Sequence, residues 1–110
     1  MSLSTVYAIQ NPPGLTLSAT QSGGIVTTQW AGQPIFPTNL PVGFTCTIIN
    51  YSLYPWTSNT LATPMFVVAG STFVTTTSFT LQPGQSCVVS VVANNPNNNQ
   101  LSYYIAKGGS

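Results

Sequence analysis

The run Gly43-Phe44-Thr45-Cys46-Thr47-Ile48-Ile49-Asn50 alternates with period two: Phe44, Cys46 and Ile48 fall on one side of an extended chain, Thr45, Thr47 and Ile49 on the other. That is the pattern of a β-strand with distinct faces. Working outward, Ser86 to Ala93 is a second strong candidate, with apolar residues on both faces, which predicts a central position in a sheet. Met65 to Ala69 and Phe73 to Leu81 are predicted as strands joined by Gly70-Ser71. Leu15 to Thr20, Ile25 to Trp30 and Leu101 to Ala106 complete the set. Turns are expected at Ser22-Gly23-Gly24 and Gln82-Pro83-Gly84-Gln85, and a solvated loop at Asn94-Asn95-Pro96-Asn97-Asn98-Asn99. Pro34, Pro37 and Pro41 argue against regular pairing through 34–41.

Segment Leu3 to Ile9, set off by the breaker Asn11-Pro12-Pro13-Gly14, is expected to be an arm or an edge strand, so the division is 1–14 arm and 15–110 domain. The expected fold is all-β: a single compact antiparallel sandwich or small barrel of about seven strands with an extended N-terminal arm.

Composition limits function more sharply than any motif. The 110 residues include one Lys or Arg, which is Lys107, and no Asp, Glu or His; charged residues make up 1%. An ordinary domain carries about a quarter. General acid–base chemistry draws mostly on His, Asp or Glu, and a serine nucleophile needs a base beside it. Zinc and calcium sites need His, several Cys or carboxylates. Phosphate backbones require several cations. The expectation is a non-enzyme with no cofactor, no metal, no nucleic-acid partner and no membrane span, since no apolar run approaches about 20 residues. The start lacks a basic segment followed by a long apolar run, which predicts synthesis in a cytoplasm. Cys46 and Cys87 then read as buried reduced thiols, a disulfide between neighbouring strands being the alternative.

Two segments are candidates for contact. Tyr51, Tyr54 and Trp56 lie in a loop rich in aromatics and proline, and such side chains anchor interfaces or stack on sugars, or else cap the end of a sandwich. Leu3, Val6, Tyr7 and Ile9 form an uncharged, β-prone stretch able to add to a neighbour's sheet or to sit at the edge of its own. The single Thr45-Cys46-Thr47 spacing is too isolated for an ice-binding array.

Four stretches, Ser22-Gly23-Gly24-Ile25-Val26, Pro41 through Asn50, Leu81-Gln82-Pro83-Gly84-Gln85-Ser86-Cys87 and Tyr103-Tyr104-Ile105-Ala106-Lys107-Gly108-Gly109, resemble a β-module recurring in bacteriophage tail-fibre and head-associated proteins. Met1 stands only a short arm ahead of the module, and a stand-alone module of this kind resembles a capsid decoration (cement) protein. The resemblance implies a homotrimer seated between capsomers on the virion surface, with the major capsid protein as partner. Its alternative is a tail-fibre tip or receptor-binding adhesin presenting Tyr51, Tyr54 and Trp56 to a glycan.

With a formal net charge of +1, copies neither repel nor pair electrostatically. Self-association should therefore change little between about 0.05 and 1 M salt, although the Debye length contracts several-fold. Sedimentation at both extremes checks this, and dissociation at high salt would contradict it.

Overall fold

A computed structural model describes residues 3–9, 14–29, 33–38, 40–61, 65–95 and 100–108. Residues 10–13 and 96–99, which carry most of the expected breaker and of the Asn-rich loop, lie outside these, as does Trp30. The elements are β1 (Val6–Ile9), β2 (Leu15–Thr16), a 3-10 turn (Ala19–Gln21), β3 (Ile25–Thr28), β4 (Pro34–Ile35), β5 (Thr45–Asn50), β6 (Trp56–Thr57), β7 (Met65–Ala69), β8 (Thr72–Thr76), β9 (Thr80–Leu81), β10 (Ser86–Asn95) and β11 (Gln100–Lys107).

The chain is all-β, and its main sheet has seven strands in the order β1-β3-β5-β10-β11-β7-β8. The central strand is β10, as its two apolar faces predict; it pairs antiparallel with β5 and with β11. The expected purely antiparallel arrangement is corrected. Strands β1, β3 and β5 run parallel to one another, and β11 runs parallel to β7. Parallel neighbours cannot be joined by a tight turn, so residues 10–24 and 29–44 serve as crossovers. In the second of these, Pro34 takes part in a short parallel pairing of β2 with β4 despite the expectation of none. Leu15 and Leu17 donate to the carbonyls of Gln33 and Ile35, so the missing N–H of Pro34 is not required.

The predicted strand Phe73 to Leu81 is split. β8 stays in the sheet, while β9 leaves it to pair with β6. Phe79 lies buried between them, its N–H donating to Ser58 Oγ and its carbonyl accepting from the Ser58 N–H.

One face of the sheet is covered. Val26, Cys46, Ile48, Cys87, Val89, Val91, Tyr103, Ile105 and Met65 point into a core closed by Leu17, Phe36, Leu40, Phe44, Trp56, Leu61, Phe79 and Leu81 from the connections. Phe36 is the hub of an aromatic cluster. It stacks on Tyr103 (5.3 Å between centroids, 9° between planes) and Phe79 (5.7 Å), and meets Trp56 edge-on at 6.3 Å. The Tyr103 hydroxyl donates to the Pro37 carbonyl, tying the Pro-rich crossover to β11.

Cys46 and Cys87 are free and buried. Burial pushes both thiols up to about 12 from 9.0, the neighbouring Cys46 adding to the rise at Cys87, and burial likewise pushes the Tyr103 phenol up to about 12 from 10.0. Each folded-state group keeps its proton longer than in the unfolded chain. The stability this represents is complete below the unfolded values and is lost as pH rises above them. The melting temperature should thus stay nearly flat from about pH 5 to 8 and fall from about pH 9 upward; thermal scans across that range check it.

Candidate functional site

Among the described residues, the second face of the same sheet has no such cover. The register lines up Val6, Ile25, Thr47, Val88, Ala106, Val68 and Phe73 in one row across all seven strands. A parallel row contains Thr45, Ser90, Tyr104, Phe66 and Thr75. Val6 (57% exposed), Val88 (42%), Tyr104 (39%) and Phe73 (58%) remain in contact with solvent. Phe66 and Phe73 stack on this face with centroids 5.8 Å apart. An antiparallel sheet open to water normally carries polar residues on its wet side, and parallel strands are normally covered on both faces. Here the wet side alternates Val, Ile, Phe and Tyr with Thr and Ser, and among the described residues carries no ionisable group other than the Tyr104 phenol.

The aromatic loop is rearranged relative to expectation. Trp56 is 2% exposed and packs edge-on to Phe79 at 5.4 Å, so it belongs to the core and is withdrawn from the contact set. Tyr51 and Tyr54 are exposed as expected, and Leu53 (87% exposed) stands between them. What fixes this tip is Asn50, fully buried at the end of β5. Its amide nitrogen donates to the carbonyls of Tyr54 and Leu81, each at 2.9 Å. Its amide oxygen accepts from Thr28 Oγ1 at 3.1 Å and Ser52 Oγ at 2.7 Å. Every amide position of Asn50 is used, and two side chains plus two backbone segments are locked in one geometry. A cleft of about 270 Å³ opens beside it, lined by Asn50, Tyr51, Ser52, Leu53 and Gly84. Sequence reading missed Asn50 and Leu53, because an Asn closing a strand looks like an ordinary turn residue.

The N-terminal candidates divide. β1 pairs in parallel with β3 of its own chain, which makes the segment an edge strand and corrects its use as a free reaching arm. Ile9 is buried in the core, and Tyr7 donates its hydroxyl to the Thr20 carbonyl at 2.9 Å. Gly24 lets β1 sit close: a Cβ there would lie 2.8 Å from the Tyr7 ring and 2.9 Å from the Thr5 carbonyl oxygen. Leu3 (89% exposed), Val6 and the small side chain of Ala8 present apolar surface from this segment. A second, polar cleft of about 270 Å³ lies between Leu3–Thr5 and Ser22–Gly24.

Chemically the described surface can adhere and stack. Its two thiols are buried and protonated at neutral pH. Compared with known protein families, curated proteins and solved structures, the chain matches none.

Asn50→Asp tests the tip. The new carboxylate would face the Tyr54 and Leu81 carbonyls, so burial and repulsion favour its protonated form and raise its pKa above the unfolded value of about 3.9. Stability is then lost as pH rises through that window. The variant should melt markedly higher at about pH 4 than at pH 7, where the parent is nearly flat; equal melting at both would contradict the Asn50 network.

Proposed function

We propose that the protein is a non-catalytic structural component of a phage virion, a decoration protein that lies on the capsid shell through the open face of its sheet. The observation that carries this is the uncharged and mostly apolar row from Val6 to Phe73, broken only by Thr47, on a sheet whose other face is already filled. Contiguous exposed apolar surface marks a docking site in a soluble protein. A neutral sheet face desolvates without stripping water from charges, so it suits a flat, neutral partner and long-lived contact. The resemblance of the Pro41–Asn50 and Leu81–Cys87 stretches to virion β-modules supplies the partner class, the major capsid protein. Copies clustered on one shell would hold it by multivalency, each weak contact reinforced by its neighbours.

A second reading has its own support in the Asn50-pinned tip. Tyr51 and Tyr54, held on a rigid loop, form the kind of platform that stacks against a glycan in a receptor-binding tail protein.

Quantifying the protein in purified virions separates the two. A decoration protein is present in proportion to the major capsid protein, a tail tip at a small fraction of it. Val88→Lys and Tyr104→Lys, both on the open face, should abolish attachment to undecorated capsids, while Tyr51→Ala and Tyr54→Ala leave it intact. The reverse pattern, with tail-like copy number, would replace the first reading by the second.

A further inference from the structure

The main sheet ends at β8, and among the described residues that edge lacks the charges, prolines and bulges that normally keep sheet edges apart. It has five residues, Thr72-Phe73-Val74-Thr75-Thr76, with no proline, no lysine and no other charge. Its register with β7 is regular from Met65↔Thr76 to Ala69↔Thr72, without a bulge. Soluble proteins blunt edges with short strands, charges, prolines or bulges. Phe73 (58% exposed) and Val74 (47%) leave apolar surface on both sides of the strand.

The hairpin decides which backbone groups are free. β7 and β8 are joined by the two-residue turn Gly70-Ser71, with Gly70 at φ +60° as primed turns require. The closing pair Ala69↔Thr72 exchanges hydrogen bonds, and antiparallel pairs alternate. Thr72, Val74 and Thr76 therefore bond to β7, whereas the N–H and carbonyl groups of Phe73 and Thr75 point away from the sheet. These two residues flank Val74 symmetrically.

We propose that β8 is a homodimerisation edge: two copies pair antiparallel through β8, with Val74 on the two-fold axis and Phe73 of each copy opposite Thr75 of the other. The pairing satisfies all four outward groups of each strand. It is isologous and closed, so it ends at a dimer. No charge opposes it, and it joins two seven-stranded sheets into one continuous open face. The contact is small beside the roughly 1,200–2,000 Å² of standard stable interfaces, so a weak dimer is expected, populated at concentrations near 100 µM and above. It is a two-fold contact, distinct from a three-fold cluster, and it does not depend on the phage reading. Purified protein suffices to test it.

In this geometry the two Val74 residues form a non-hydrogen-bonded pair, with Cα atoms about 4.5 Å apart, inside the range a disulfide spans. Val74→Cys should yield a covalent dimer under mild oxidation. Thr76→Cys, opposite Thr72 of the partner copy, should not. The native Cys46 and Cys87 are buried and stay silent. Thr75→Pro removes an outward N–H without touching the β7 ladder. It should shift the chain to monomer in sedimentation while circular dichroism and melting stay those of the parent. Val74→Lys should do the same through like-charge repulsion on the axis. A parent chain that stays monomeric near 1 mM with no Val74→Cys cross-link overturns the proposal. So does a dimer that survives both Thr75→Pro and Val74→Lys. Failure of capsid binding in an intact dimer would instead count against the virion reading alone.

Discussion

Covering one face of the sheet and leaving the other bare follows from how its strands are connected. β1, β3 and β5 run parallel, so the chain must cross over between them, and a crossover has to lie on a face of the sheet. The connections place Leu17, Phe36, Leu40 and Phe44 on one face of β5 and β10, and the 51–61 segment adds Trp56 and Leu61 there. Burial of these side chains, each worth about 1.5–3 kcal/mol relative to exposure, holds the sheet against its cover. No segment of comparable length is left in the described chain to close the other side, so Val88, Tyr104 and Phe73 face water beside β-branched and aromatic neighbours.

The near absence of charge then governs how polar groups are accommodated. A buried polar atom without a partner costs about 1–3 kcal/mol, and here no ion pair can share the load. Asn50 is the clearest solution: four hydrogen bonds, two given and two received, at a position with no solvent exposure. Ser58 does the same job for Phe79 through reciprocal side-chain and backbone bonds. Asn59 holds the Phe36 backbone from both sides, accepting from its N–H at 2.8 Å and donating to its carbonyl at 3.0 Å. Neutral amides and hydroxyls thus do what carboxylates and guanidinium groups do in most domains. The geometry they impose is independent of pH over the range where side-chain amides and hydroxyls do not titrate.

Much of the strand content was legible because side-chain alternation is a local property. Phe44, Cys46 and Ile48 face the core as their spacing predicts, and β10 is central as its two apolar faces predict. Strand direction was not legible, since period two is the same in parallel and antiparallel pairs. The crossovers carried the information instead, as the long proline-interrupted gaps between Ile9 and Ile25 and between Thr28 and Thr45. Trp56 misled for a related reason. A tryptophan between Pro55 and Thr57 looks like a loop residue, yet it pairs with Leu81 in a two-residue ladder and turns its ring under Phe36. Only long-range packing against Phe79 distinguishes it from its exposed neighbours Tyr51 and Tyr54.

The open face, the Asn50-pinned tip and the β8 edge share one physical character: each is held by ladder or side-chain hydrogen bonds, neutral, and exposed in the isolated chain. Preorganised neutral surfaces lose little conformational entropy on binding, and they forgo the long-range steering that charges provide. Encounter is then slow and unguided, while separation is opposed by apolar contact and main-chain bonds that salt does not screen. That balance suits a protein held in place by many copies on one scaffold, where high local concentration replaces steering. It suits a transient partner poorly, because without charge complementarity little rejects a wrong encounter or speeds a right one. A surface of this kind gains specificity only by shape and register, and a sheet supplies both: the pleat fixes which side chains meet, and the ladder fixes where they meet.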